Sequence, residues 1–220
     1  MKFFLDTASI SEIKEVASLG ILDGVTTNPT LISKERGNYY DLLKEICNIV
    51  KGPVSAEVTS DIAIEMIEEA KKLAKLSDYI VVKIPLTKDG LIAAAKLSKD
   101  GIKVNMTLIF SPTQALLACK TGATYLSPFV GRLDDIGNDG LDVALMAKDF
   151  IEIYGFNTQV IVASIRNLRH VIRAAESGID IVTLPPQIFW QMLNHPLTDI
   201  GLEKFMKDWK EYQKNNNKPQ

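Results

Sequence analysis

One unit recurs along the chain: a short apolar run, a polar residue or two at its end, a helix-length amphipathic stretch, then glycine before the next apolar run. Strands that alternate with helices demand a parallel sheet, because parallel neighbours need a crossover long enough to hold a helix. The apolar runs fall near 3–5, 24–26, 54–58, 78–85, 103–107, 124–129, 159–163 and 180–184. Eight such units predict closure into a (β/α)8 TIM barrel, with an additional C-terminal helix over 202–212. The competing architecture is an open flavodoxin-like sheet, which concentrates its chemistry at one switch point. Here nearly every run ends in chemically useful residues, which favours eight strand ends converging on one mouth.

Helix punctuation agrees. Ser9 with Glu12, and Ser111 with Pro112 and Gln114, read as capped helix starts, while Gly20, Gly101, Gly122, Gly155 and Gly178 stand where helices should close. With 220 residues and no linker, the expectation is one barrel domain over 1–214 and a polar, disordered tail over 215–220.

Charge and motifs exclude several classes. The net charge is −2 with both signs interspersed, so no field attracts nucleic acid or an anionic membrane. The start MKFFLDTASISE meets Asp6 too soon for a signal-peptide core, and no apolar run reaches the roughly 18 residues of a span; a cytoplasmic location is expected. Cys47 and Cys119 lie apart in helical patterns and read as reduced, buried thiols. The only histidines, His170 and His195, fit no zinc spacing, and GxGxxG and GxxxxGK are absent, so neither a metal nor a nucleotide cofactor is expected.

Lys83 is the anomaly. It ends the run DYIVVKIP, just before Pro85 breaks the ladder, and lysine is almost never fully buried unless paired or used. Two readings stand: a strand-end lysine that snorkels to solvent, or an amine that attacks a carbonyl. An unshifted lysine is free amine only about once in 2,500 molecules at neutral pH, and desolvation raises that fraction.

Period-two alternation puts Ser55 with Glu57, Asn105 with Thr107 and Ser127 with Phe129 on shared faces, all able to surround Lys83. Glu57, flanked by Ala56 and Val58, is an acid/base group or the ion-pair partner of Lys83. Asp6 is a site carboxylate or a turn former, and Asn28 before Pro29 is a ligand contact or a helix cap. Arg132, Ser164 and Arg166 end strands six and seven, where barrels commonly hold phosphate. Asp134 and Asp135 pair with such an arginine or cap the next turn.

FLDTA (4–8), GVTTNPTLI (24–32), SAEV (55–58), VKIPLT (82–87), NMTLIF (105–110), SPFVGRLDD (127–135) and ASIR (163–166) together resemble the transaldolases, in particular the small single-domain type that includes the fructose-6-phosphate aldolases. The resemblance implies a cofactor-free TIM barrel acting on sugar phosphates in the pentose phosphate pathway. It implies that Lys83 forms a Schiff base with a ketose phosphate and that Asp6 takes the C4 hydroxyl proton. Glu57 would work through a water held with Thr107. Asn28 and Asn105 would bind donor hydroxyls, Ser127 would lie beside the donor carbons, and Arg132, Ser164 and Arg166 would grip phosphate. A homo-oligomer is also implied, a decamer of two pentameric rings, with 202–212 as a packing arm.

Two positions separate the branches. Proteins resembling the aldolases carry glutamine at the position of Glu57 and tyrosine at that of Phe129; this chain resembles the transaldolases at both. Phenylalanine offers no proton to release the three-carbon enamine, which then waits for an aldehyde acceptor. Other readings are a fructose-6-phosphate aldolase, an acid/base or metal-dependent sugar-phosphate isomerase with Lys83 only an electrostatic stabiliser, and a non-catalytic sugar-phosphate binding barrel.

Overall fold

Sequential strands lie side by side: β1 (Lys2–Asp6), β2 (Gly24–Thr26), β3 (Val54–Glu57), β4 (Ile80–Pro85), β5 (Val104–Ile109), β6 (Tyr125–Pro128), β7 (Gln159–Val162) and β8 (Ile181–Leu184). All pairs are parallel, and β8 returns to β1 with Phe4 opposite Thr183, so the sheet closes into a TIM barrel. This computed structural model describes residues 1–216.

The helices, α1 (Ile10–Ala17), α2 (Pro29–Ile32), α3 (Tyr39–Val50), α4 (Ala63–Ala74), α5 (Lys88–Lys99), α6 (Pro112–Lys120), α7 (Val130–Asp134), α8 (Leu141–Tyr154), α9 (Leu168–Glu176), α10 (Pro186–Leu193) and α11 (Pro196–Asn216), fill the crossovers and the C-terminus. Both expected helix starts form, with a variation. Ser9 Oγ accepts the Glu12 N–H at 3.5 Å, but the Glu12 carboxylate takes the Thr7 hydroxyl at 2.6 Å instead of reaching the Ser9 N–H. Likewise Gln114 Oε1 accepts the Phe110 N–H, one residue before its cap Ser111. Gly155 closes α8 with a left-handed backbone, φ 65°, its N–H on the Ile151 carbonyl.

Alternation along each strand sorts the core into two parts. Leu5, Val25, Ala56, Val82, Ile84, Met106, Leu126 and Val182 join the main core with buried helix residues. Phe4, Val81, Tyr125, Ile161 and Ile181 form a separate buried cluster that floors the barrel, with Phe4 and Tyr125 edge to face at 6.3 Å. Gly24 is required here: a Cβ on it would lie 2.6 Å from the Phe4 ring. Each fully buried aliphatic or aromatic side chain contributes about 1.5–3 kcal/mol, so the floor anchors the polar layer above it.

Most strand ends fall within a residue of expectation, and two elements run at least two residues further than expected. β5 continues to Ile109 through a register shift, with Leu108 at φ 57°. The last helix starts at Pro196 and runs through Asn216, because no proline follows its first residue within it and the single Gly201 costs only about 1 kcal/mol, so Asn215 and Asn216 are helical. The rest of the expected tail, 217–220, lies outside the described residues. Among the described residues no helix is long and apolar enough to cross a membrane.

Candidate active site

Lys83 points to the barrel interior from the end of β4, flanked by Glu57 on β3 and Asn105 on β5, which are its register partners. It is 4% exposed, so it does not snorkel. Its Nζ sits 2.9 Å from Glu57 Oε2 and donates to the Thr27 carbonyl at 3.0 Å. A buried ammonium needs this compensation, since an unpaired one costs several kcal/mol.

Asp6 ends β1. Thr26 donates to its Oδ1 at 2.7 Å, and the Thr183 hydroxyl lies 2.7 Å from Thr26 Oγ1. An ionised carboxylate only accepts, so the relay runs from Thr183 through Thr26 to Asp6. Asp6 lines two cavities, one shared with Lys83 and one beside Thr7, Glu12 and Lys34. Burial raises its pKa above the ordinary carboxylate value, an effect that the Lys83 charge and the Thr26 hydrogen bond oppose.

Asn105 joins the layer. Its Nδ2 donates to Ser55 Oγ at 3.1 Å, and its Oδ1 accepts from Ser127 at 2.8 Å. Thr107, also fully buried, has a hydroxyl with no hydrogen-bond partner. Asn28 caps α2, its Oδ1 on the Leu31 N–H at 3.0 Å, and also lines the cavity, so cap and contact are compatible.

The cavity holds about 150 Å³ and runs from Lys83 and Asp6 past Ser127 and Phe129 to Arg132, Ser164 and Arg166. Arg132 lies over the Phe129 ring at 5.1 Å, and Lys83 Nζ lies 5.9 Å from the same ring. Arg166 pairs with Asp135 at 3.1 Å. Ser164 has φ 61°, an uncommon conformation for a residue with a side chain, which aims the turn after β7 across the mouth. Two cationic ends and a hydroxyl at one end of a polar cavity suit an anion.

Glu57, Asn105 and Thr107 do not line this cavity. Glu57 instead faces a second, mostly apolar one beside Asn28 and Tyr39, whose hydroxyl donates to the Glu57 carbonyl at 3.2 Å. Thr26, Thr183, the Thr27 carbonyl and Gly131 also take part, although no sequence signal singled them out. For Thr26 and Thr183 the signal available was their place at the ends of buried strands. Gly131 lets the turn after β7 approach, since its Cβ would fall 2.0 Å from the Ser164 carbonyl oxygen.

The family model described as Transaldolase/Fructose-6-phosphate aldolase matches residues 3–216. The chain belongs to this family. Similar proteins named "Probable transaldolase" come from Petrotoga mobilis, 54% identical over 213 residues (97% of this chain, 96% of that protein), and from Thermodesulfovibrio yellowstonii, 56% identical over 214 residues (97% and 100%). One from Methanococcus vannielii is 57% identical over 209 residues, covering 95% of this chain and 97% of that protein. Membership of the transaldolase/fructose-6-phosphate aldolase family identifies an enzyme of transferase or aldolase type.

Proposed function

We propose that the protein is a transaldolase that moves a dihydroxyacetone unit from sedoheptulose 7-phosphate or fructose 6-phosphate to glyceraldehyde 3-phosphate or erythrose 4-phosphate, in the cytoplasmic non-oxidative pentose phosphate pathway. The observation that carries this reading is a buried lysine amine held against a carboxylate, in a cavity that ends in two arginines.

Lys83 Nζ attacks the ketose C2 carbonyl, and loss of water leaves an iminium. Asp6 takes the C4 hydroxyl proton, the C3–C4 bond breaks, and its electrons pass into the iminium to give an enamine as the aldehyde leaves. C3 of the enamine then bonds to the acceptor aldehyde carbon, whose oxygen regains the proton from Asp6. Glu57, with a water held on Thr107 Oγ1, moves the protons of carbinolamine formation and iminium hydrolysis. Asn28, Asn105 and Ser127 hold the donor hydroxyls, and Arg132, Ser164 and Arg166 hold its phosphate. Phe129 supplies no proton to the enamine, which favours transfer over release of free dihydroxyacetone.

The test is incubation with fructose 6-phosphate, with and without erythrose 4-phosphate. Glyceraldehyde 3-phosphate release that depends on the acceptor, with sedoheptulose 7-phosphate formed, supports the transferase. Equal release without acceptor, with free dihydroxyacetone, makes the protein an aldolase.

For assembly, the proposal is a homo-oligomer, a decamer of two rings, with α11 as the arm. Leu202, Phe205, Met206, Trp209 and Tyr212 recur at helical spacing on α11 and are all at least half exposed.

A further inference from the structure

His170 sits in the first turn of α9, is 6% exposed and lines neither the Lys83 cavity nor the one beside Tyr39; it borders a separate surface cavity with Asp134, Asn167 and Arg173. Its Nδ1 accepts the backbone N–H of Arg166 at 3.3 Å, and its Nε2 lies 2.6 Å from Asp134 Oδ2. The other Asp134 oxygen is occupied by the Gly140 N–H at 2.8 Å. These partners leave one assignment: Nδ1 carries the lone pair and Nε2 carries the proton given to Asp134. Asn167 caps the same turn and holds the His170 N–H at 3.1 Å, so the ring's backbone is anchored as well.

We propose that Asp134 and His170 form a positioning unit for the anion end of the site. It acts by fixing one imidazole tautomer. The turn after β7 contains Ser164 in a left-handed conformation, strained for a residue with a side chain, that needs support from its surroundings. The His170 lone pair supplies part of it by holding the Arg166 N–H, which sets the point from which the arginine side chain reaches into the cavity. The Val130 and Gly131 N–H groups hold the Ala163 and Ser164 carbonyls of the same turn at 3.0 and 3.1 Å, and Asp134 acts through the ring, since without a carboxylate on Nε2 the imidazole is free to take the other tautomer and turn an N–H towards the Arg166 N–H. The inference rests on the reading of Arg132, Ser164 and Arg166 as a phosphate grip.

Asp134→Asn is the discriminating variant. Its Oδ1 stays on the Gly140 N–H, so its amide N–H faces Nε2 and forces the proton onto Nδ1. His170→Asn, which keeps an acceptor near the Nδ1 position, is the conservative control, and His170→Leu removes the acceptor. In Asp134→Asn and His170→Leu, the inhibition constant of inorganic phosphate against fructose 6-phosphate turnover should rise about tenfold or more, the effect of leaving the Arg166 N–H without its acceptor. His170→Asn should stay within about threefold of the parent. Borohydride trapping with dihydroxyacetone, which has no phosphate, should proceed at the parent rate in all three. Imidazole 15N shifts should show the proton on Nε2 in the parent and on Nδ1 in Asp134→Asn.

An unchanged phosphate constant in Asp134→Asn overturns the proposal. So does a fall in trapping that parallels the loss of phosphate inhibition, which marks general destabilisation. If inorganic phosphate does not inhibit the parent enzyme, the phosphate-grip reading itself fails and takes this inference with it.

Discussion

Glu57 and Lys83 face one another across neighbouring strands, register partners whose charged ends meet at 2.9 Å inside the barrel. Breaking such a pair leaves one buried charge unanswered. Lys83→Met and Glu57→Gln are each expected to cost about 3 kcal/mol, with the double variant recovering about 1 kcal/mol or more of the summed loss. Chemical denaturation of the four proteins measures this. Lys83→Met should also lose substrate-dependent borohydride trapping, and trapping that persisted would put the Schiff base on another residue.

Asp6 predicts a pH dependence of definite sign. Its folded pKa is raised by burial, so the folded state binds this proton at higher pH than the unfolded chain does. The ionised carboxylate therefore costs stability above the folded value, and the cost fades as pH falls through it towards the ordinary 3.8. Asp6→Asn should melt at higher temperature than the parent at pH 7, with the gap closing in acid. The acid limb of kcat/KM should lie above the usual carboxylate range in the parent. Asp6→Asn should lose about a hundredfold or more in kcat and lack that limb. A gap that widened in acid would contradict the assignment.

Arg166 is held by Asp135 at 3.1 Å in an exposed pair, and the phosphate has to compete with that carboxylate. An exposed pair is worth about 0.2–1 kcal/mol. Asp135→Asn should therefore lower the KM for fructose 6-phosphate by up to about fivefold at low salt. Added salt should erase the difference, and the melting temperature should hardly move.

Gly131→Ala tests how closely the turns after β6 and β7 must approach. The added methyl would fall 2.0 Å from the Ser164 carbonyl oxygen and 2.6 Å from Arg166 Cγ. The backbone carbonyl has to shift, at a cost of about 1–3 kcal/mol. Weaker inhibition by phosphate should accompany the lower melting temperature.

The α11 arm is checked by light scattering during gel filtration. Phe205 is 71% and Trp209 56% exposed, so replacing both with serine should cost the fold of the single chain little. The mass should fall to that of a smaller species. A parent that elutes as a monomer removes the assembly proposal.

The barrel was legible because its evidence is local. Apolar runs of strand length, caps such as Ser9 and Ser111, and closing glycines such as Gly155 act over a few residues, and their regular order leaves few topologies. Lys83 was legible for the same reason, as a charge in an apolar β-branched run whose burial demands a partner. Alternation then named the face that Glu57, Asn105 and Ser127 share with it.

Only the closed sheet decided which of these groups touch. Thr183 reaches Thr26 across 157 residues of chain, and Asp134 reaches His170 across 36, contacts to which neither periodicity nor capping refers. The left-handed Ser164 and the bulge at Leu108 were equally hidden, since non-glycine residues adopt such conformations only when surrounding packing holds them there. The sequence by itself determined the strands, the faces and the charge that had to be used. The tertiary structure decided the distances, because hydrogen bonds and ion pairs act over about 3 Å and only closure of the barrel brings the ends of distant strands that near.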